Sequence, residues 1–142
     1  MNQLSEILDE KGHDALRIEA EASVFEAVKQ MVEANVGSLL VTVGGEITGI
    51  VTERDYLRHV AREGRTDKGT AVRQVMSSPL IVVTAQTTVD ECMALMTDRR
   101  IRHVPVVDGG KVIGIVSIGD VVKFKSKKQS FEIQFLHDYI GS

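Results

Sequence analysis

Residues 38–55 read SLLVTVGGEITGIVTERD and residues 103–120 read HVPVVDGGKVIGIVSIGD, and the two stretches align without a gap at a constant offset of 65. Val41/Val106, Gly44/Gly109, Gly45/Gly110, Gly49/Gly114, Ile50/Ile115, Val51/Val116 and Asp55/Asp120 are identical pairs. In each stretch two apolar runs flank a Gly-Gly pair, the signal of a β-hairpin whose turn needs positive φ. A hydroxyl residue, Thr52 or Ser117, then stands three positions before an aspartate, which is how a strand hands over to a helix with its first free amides satisfied.

Working outward, the repeat extends from Ile18–Leu57 to Val83–Val122 and adds the identical pairs Val24/Val89, Glu26/Glu91 and Met31/Met96. Ser23-Val-Phe-Glu26 and Thr88-Val-Asp-Glu91 place a hydroxyl three residues before a carboxylate, so the spacing predicts a helix starting at each. Val24, Val28 and Met31, and Val89, Cys92, Met93 and Met96, fall at three- and four-residue spacing and form the inward stripes of these helices. Cys92 lies on that stripe and reads as a core residue rather than a reactive thiol. With a short strand ahead of each helix, near Ala15–Ile18 and Ile81–Val83, each copy is β-α-β-β-α. The fold class is therefore α/β (α+β), two β-α-β-β-α repeats that bury their apolar faces by packing around a pseudo-twofold axis.

The remaining segments follow from the repeat. Residues 1–14 form an N-terminal helix or extension, 15–64 the first copy, 65–78 a linker with a short helical lead-in at Ala71–Met76, 79–124 the second copy, and 125–142 a C-terminal helix. Lys123, Lys125, Lys127 and Lys128 make a basic cluster beside Phe131, Phe135 and Leu136, whose spacing suits a helix docked on the body or on a second copy. A charge run of this kind is ordinarily a solvated face.

Composition narrows the function. The chain has 142 residues, 43% of them hydrophobic and 26% charged, as in an ordinary folded domain. A net charge of −3 gives no global reason to expect nucleic acid or an anionic membrane as partner. One cysteine excludes an internal disulfide and fits a reducing compartment, so a cytoplasmic location is expected. The N-terminus reads neither as a secretory signal nor as a transit peptide, and no apolar run approaches a membrane span. His13, His59, His103 and His137 show no metal-ligand spacing, and no nucleophile elbow or phosphate loop is present. Neither catalysis, a metal site nor a catalytic cofactor is expected.

The doubled G-x-x-[TS]-x-x-D endings admit two readings. They are sufficient as helix caps with no ligand at all. They also place a helix N-terminus, a hydroxyl and a carboxylate together, where the amides suit an anion and the carboxylate suits the paired hydroxyls of a ribose. Gly119, a glycine inside a helix, suggests close approach of something.

The tandem repeat, the strand pair from Arg102 to Val116 and the two endings at Gly49–Asp55 and Gly114–Asp120 resemble a CBS domain pair, or Bateman module, over nearly all of Ala15–Lys123. The resemblance implies a non-catalytic regulatory unit that binds AMP foremost, or ADP, ATP, NAD(H) or S-adenosylmethionine, in clefts between the repeats, and commonly pairs into a homodimer. Carried over by position, Asp55 and Asp120 would hold ribose hydroxyls, with Thr52 and Ser117 near sugar or phosphate. Arg102 and His103 would reach phosphate, and the base would lie near Val104 and Pro105. The copies are not equal: Gly37 and Ser38 stand opposite Arg102 and His103, and Arg54 opposite Gly119. One good site, in the second copy, is expected, and Arg54 and Arg58 are further phosphate candidates. The competing expectation is a structural homodimer whose caps are only caps.

Overall fold

The computed structural model describes residues 2–64 and 69–127. The chain divides into two compact units, Asp14–Ile81 and the discontinuous pair Met1–His13 with Val82–Ser142. Each is built from one copy of the repeat.

In the first unit, β1 (Arg17–Glu19) leads through α2 (Val24–Ala34) to β2 (Ser38–Val43), β3 (Glu46–Thr52) and α3 (Glu53–Glu63). The helix preceding these, α1 (Leu4–Lys11), belongs to the other unit. The sheet order is β1-β2-β3, with β1 parallel to β2, as a helical crossover requires, and β2 antiparallel to β3, as a hairpin requires. Gly44 and Gly45 make the turn at φ +57° and +86°. Ser23 caps α2 by accepting the Glu26 N–H at 3.0 Å. Ala27, Met31, Leu39, Val41 and Val51 form the core; α2 buries Val24 and Met31 as expected, but Ala27 takes the inward place expected of Val28, which is only partly buried.

Residues 70–77 are hydrogen-bonded into this unit. A short 3-10 turn at Val72–Gln74 donates from Val72 to the Ala22 carbonyl (2.8 Å) and from Arg73 to the Ala20 carbonyl (3.0 Å), and Val72 itself is fully buried. Ser77 and Ile50 exchange both backbone bonds, at 2.8 and 3.2 Å. That approach explains Gly49, where a Cβ would stand 2.7 Å from the Ser77 carbonyl oxygen.

The second unit repeats the plan with β4 (Val83–Thr84), α4 (Val89–Arg99), β5 (His103–Asp108), β6 (Lys111–Ser117) and a helix over 118–127, here α5. Its sheet order is β4-β5-β6, with Gly109 and Gly110 turning the hairpin at φ +58° and +78°. At α4 the capping box is complete: Glu91 N–H donates to Thr88 Oγ1 (3.1 Å) and Thr88 N–H to Glu91 Oε1 (2.9 Å). The Thr88 N–H, with the Thr88 side chain beside it, holds the Glu91 carboxyl below its ordinary range. Cys92 is fully buried in the core, and burial pushes its thiol up to about 11.

The core of this unit is completed by α1. Leu4, Ile7 and Leu8, at i, i+3 and i+4, are buried among Val83, Val89, Cys92, Val104, Val106 and Val121. Its first amides donate to the carbonyls of Thr87 (Leu4 N–H, 2.9 Å) and Ala85 (Ser5 N–H, 3.1 Å), which satisfies donors a helix start leaves open. Leu8 lies over Gly114, where a Cβ would stand 2.7 Å from Leu8 Cδ2. Gly49 and Gly114, identical in the repeat, thus both admit a segment from outside the repeat, a different one in each copy. Lys123, Lys125 and Lys127 are on α5, while Lys128, Phe131, Phe135 and Leu136 lie outside the described residues.

Candidate functional site

Each third strand ends at a capped helix, and the carboxylates of the two copies have different surroundings. In the first copy Asp55 N–H donates to Thr52 Oγ1 (3.2 Å), while Asp55 Oδ2 accepts from the Thr52 N–H (2.9 Å) and from its hydroxyl (3.1 Å). Asp55 is only 7% exposed, and Arg58 Nη1 lies 3.8 Å from its other oxygen, Oδ1. Thr52 and Arg54 are partly exposed. This carboxylate is committed to its own cap.

In the second copy Asp120 N–H donates to Ser117 Oγ (3.1 Å) and the Ser117 N–H donates back to Asp120 Oδ2 (2.8 Å). A third group enters from α1. Lys11 Nζ donates to the same Oδ2 at 2.6 Å and to the Ile115 carbonyl at 2.6 Å, with the Asp120 side chain 22% and the Lys11 side chain 35% exposed. Partial burial by itself would raise the Asp120 carboxyl; Lys11 and the Ser117 N–H outweigh it and hold the carboxyl below its ordinary range. Asp120 lines a cleft of about 370 Å³ with Ile7, Glu10, Lys11, Lys123, Phe124 and Lys127.

The other expected residues divide. His103 sits directly across the strand pair from Ser117, as Ser38 sits across from Thr52, so the start of β5 and the α5 cap are neighbours. Arg102 is exposed, and its carbonyl accepts the Ile118 N–H (2.8 Å), the counterpart of the Gly37 bond to Glu53 (3.0 Å). Val104 is fully buried within the core of the unit, and Pro105, on the opposite face of β5, is buried too. A Cβ at Gly119 would meet only Ser117 Oγ at 3.6 Å, an ordinary contact, so packing around it does not demand glycine. No cluster of three or more His, Cys, Asp or Glu side chains suited to a metal occurs among the described residues, and no helix among them is long and apolar enough to cross a membrane.

Lys11 is the residue that sequence reasoning missed. The apolar spacing of Leu4, Ile7 and Leu8 signals that α1 docks by one face, but its receptor begins more than 70 residues away in the chain. Nothing local to Lys11 names Asp120.

Comparison with known proteins agrees with the doubled architecture. The family model of the CBS domain matches twice, at residues 5–62 and 72–127. A mitochondrial CBS domain-containing protein of Arabidopsis thaliana, CBSX3, is 43% identical over 146 residues, covering 96% of this chain and 71% of the relative. The structure of a protein with CBS domains from Burkholderia ambifaria superposes with a TM-score of 0.80 at 44% identity, covering 85% of this chain and 91% of the other. A CBS domain pair solved with 5′-methylthioadenosine and S-adenosyl-L-methionine has the same fold, with a TM-score of 0.77 at 24% identity over 89% of this chain and 97% of that one. With two family matches that together span most of its length, and two β-α-β-β-α units to carry them, the chain belongs to the CBS domain family as a CBS domain pair.

Proposed function

We propose that this CBS domain pair is a non-catalytic regulatory unit that binds an adenosine-type ligand through the cap carboxylate of its second copy and signals to a separate partner. The observation that carries the reading is the environment of Asp120. It is ionised, partly exposed and open to a cleft, whereas Asp55 is buried in its own cap. A vicinal diol needs a carboxylate with accessible acceptor oxygens, and of the two repeat aspartates Asp120 meets that need. AMP is the foremost candidate, with ADP, ATP, NAD(H) and S-adenosylmethionine as the alternatives; the last is a ligand of the related pair described above. Ser117, Gly119, Arg102 and His103 belong to the proposed site, and Thr52, Arg54 and Asp55 to a weaker second one.

Regulation follows by linkage. A ligand with different affinity for two arrangements of the pair shifts their populations, and a partner that distinguishes them reads the shift. Association into a homodimer and a cytoplasmic setting complete the proposal, the latter resting on the lone buried Cys92.

A thermal-shift screen against AMP, ADP, ATP, NAD, NADH and S-adenosylmethionine tests it, because a ligand selective for the folded state raises the melting temperature by mass action. A shift with one of these that disappears in Asp120→Ala supports the reading. No shift with any of them favours the structural homodimer, in which the caps serve only their helices.

A further inference from the structure

Three ammonium groups line the cleft that holds Asp120. Lys11 comes from the last turn of α1, and Lys123 and Lys127 lie four residues apart on α5. Against them stand two carboxylates, Asp120 and Glu10, the latter 3.8 Å from Lys127 Nζ. The cleft therefore carries excess positive charge within a chain of net charge −3, with Ile7 and Phe124 as its apolar lining. A concave site of one sign concentrates ligands of the other.

The placement of Lys11 is specific. Its Nζ occupies Asp120 Oδ2, one of the two oxygens a ribose diol would engage, and is held there by the Ile115 carbonyl as well. A diol arriving at Asp120 must displace that ammonium. If the ligand also carries a phosphate, the displaced ammonium gains a new anionic partner in the same cleft, beside Lys123 and Lys127. If it carries none, the ion pair is lost without replacement. A sulfonium, itself a cation, would enter a cleft that already carries excess positive charge.

We infer that Lys11 is a specificity-determining residue which, with Lys123 and Lys127, makes this cleft select a phosphorylated adenosine over adenosine and over S-adenosylmethionine. The inference rests on the proposed binding at Asp120 and adds to it the class of ligand and the residues that choose it.

Isothermal titration of the full chain at low salt with AMP, adenosine and S-adenosylmethionine tests it. The wild type is expected to bind AMP at least about tenfold more tightly than adenosine, a modest advantage for cation–phosphate contacts. Lys11→Met, which keeps the aliphatic stem, should weaken AMP severalfold while leaving adenosine unchanged or tighter. Lys123→Met, outside the core, should also reduce the AMP preference, so the outcome does not hang on one variant; melting curves confirm that both fold. An AMP-to-adenosine ratio unchanged by Lys11→Met, or a wild type that prefers S-adenosylmethionine, overturns the inference even if Asp120→Ala abolishes binding. If the wild type binds none of the three, the inference fails while the proposed function still stands on ADP, ATP or NAD(H); if binding survives Asp120→Ala, the proposed function itself fails and the inference falls with it.

Discussion

Gly114→Ala and Leu8→Ala together measure how far α1 is part of the second unit. A Cβ at position 114 would stand 2.7 Å from Leu8 Cδ2 and 3.2 Å from Cδ1, closer than carbon atoms pack. Leu8 is fully buried, so its side chain has little room to turn aside, and overpacking of this kind costs about 1–3 kcal/mol. Leu8→Ala alone removes a fully buried leucine and should cost about 2–5 kcal/mol. In the double variant the new methyl enters space that the leucine has left, so the two losses should not add. Urea unfolding of the wild type, both single variants and the double variant gives the coupling directly. A sum reduced by about 1 kcal/mol or more is expected for residues in contact, and additivity within about 0.5 kcal/mol would refute the docking of α1 over Gly114. Gly49→Ala is the companion case. There the obstacle is the backbone oxygen of Ser77, which a rotamer change cannot clear, so its cost should exceed that of Gly114→Ala.

Further outcomes follow from the site and the caps. Asp120 has a lowered carboxyl, so the stability it contributes is present above the ordinary aspartate value of about 3.9 and is lost as pH falls through the lower folded value. Since its ion pair with Lys11 is partly solvent-screened, Lys11→Met should cost no more than about 1 kcal/mol at pH 7, and in acid unfolding curves this difference should begin to shrink below about pH 4 and vanish only once the pH is below the lower folded value. Cys92, with its thiol pushed up to about 11, should resist iodoacetamide in the folded protein at neutral pH and react once the chain is unfolded in urea, as mass spectrometry would register. Thr88→Ala removes a hydroxyl that caps α4 and should lower stability by about 1 kcal/mol in the same unfolding assay.

Much of the fold was legible because it is local. The Gly-Gly turns, the Ser23, Thr52, Thr88 and Ser117 caps and the stripe through Cys92 depend on residues a few positions apart, and duplication prints each signal twice. The structure bears out the two three-stranded sheets and the helices between them. Docking of non-local segments was not legible. Gly49 and Gly114 look alike in the repeat, yet one makes room for Ser77 and the other for Leu8. The same limit applied at the site. The cap geometry of Asp55 and Asp120 followed from spacing, whereas the difference between them depends on Lys11, a residue outside the repeat. Val104, named as a surface for the base, proves to be core, because alternation along β5 sends Val104 and Val106 inward together.

An NMR titration of AMP into the isotopically labelled chain addresses the proposed site most directly, since each amide reports its own surroundings. The expected result is a saturating set of shifts at Ser117, Gly119 and Asp120 that extends to Lys11, with Thr52 and Asp55 affected only at higher AMP. Shifts that appear first at Thr52 and Asp55, or a spectrum unchanged at millimolar AMP, would contradict it.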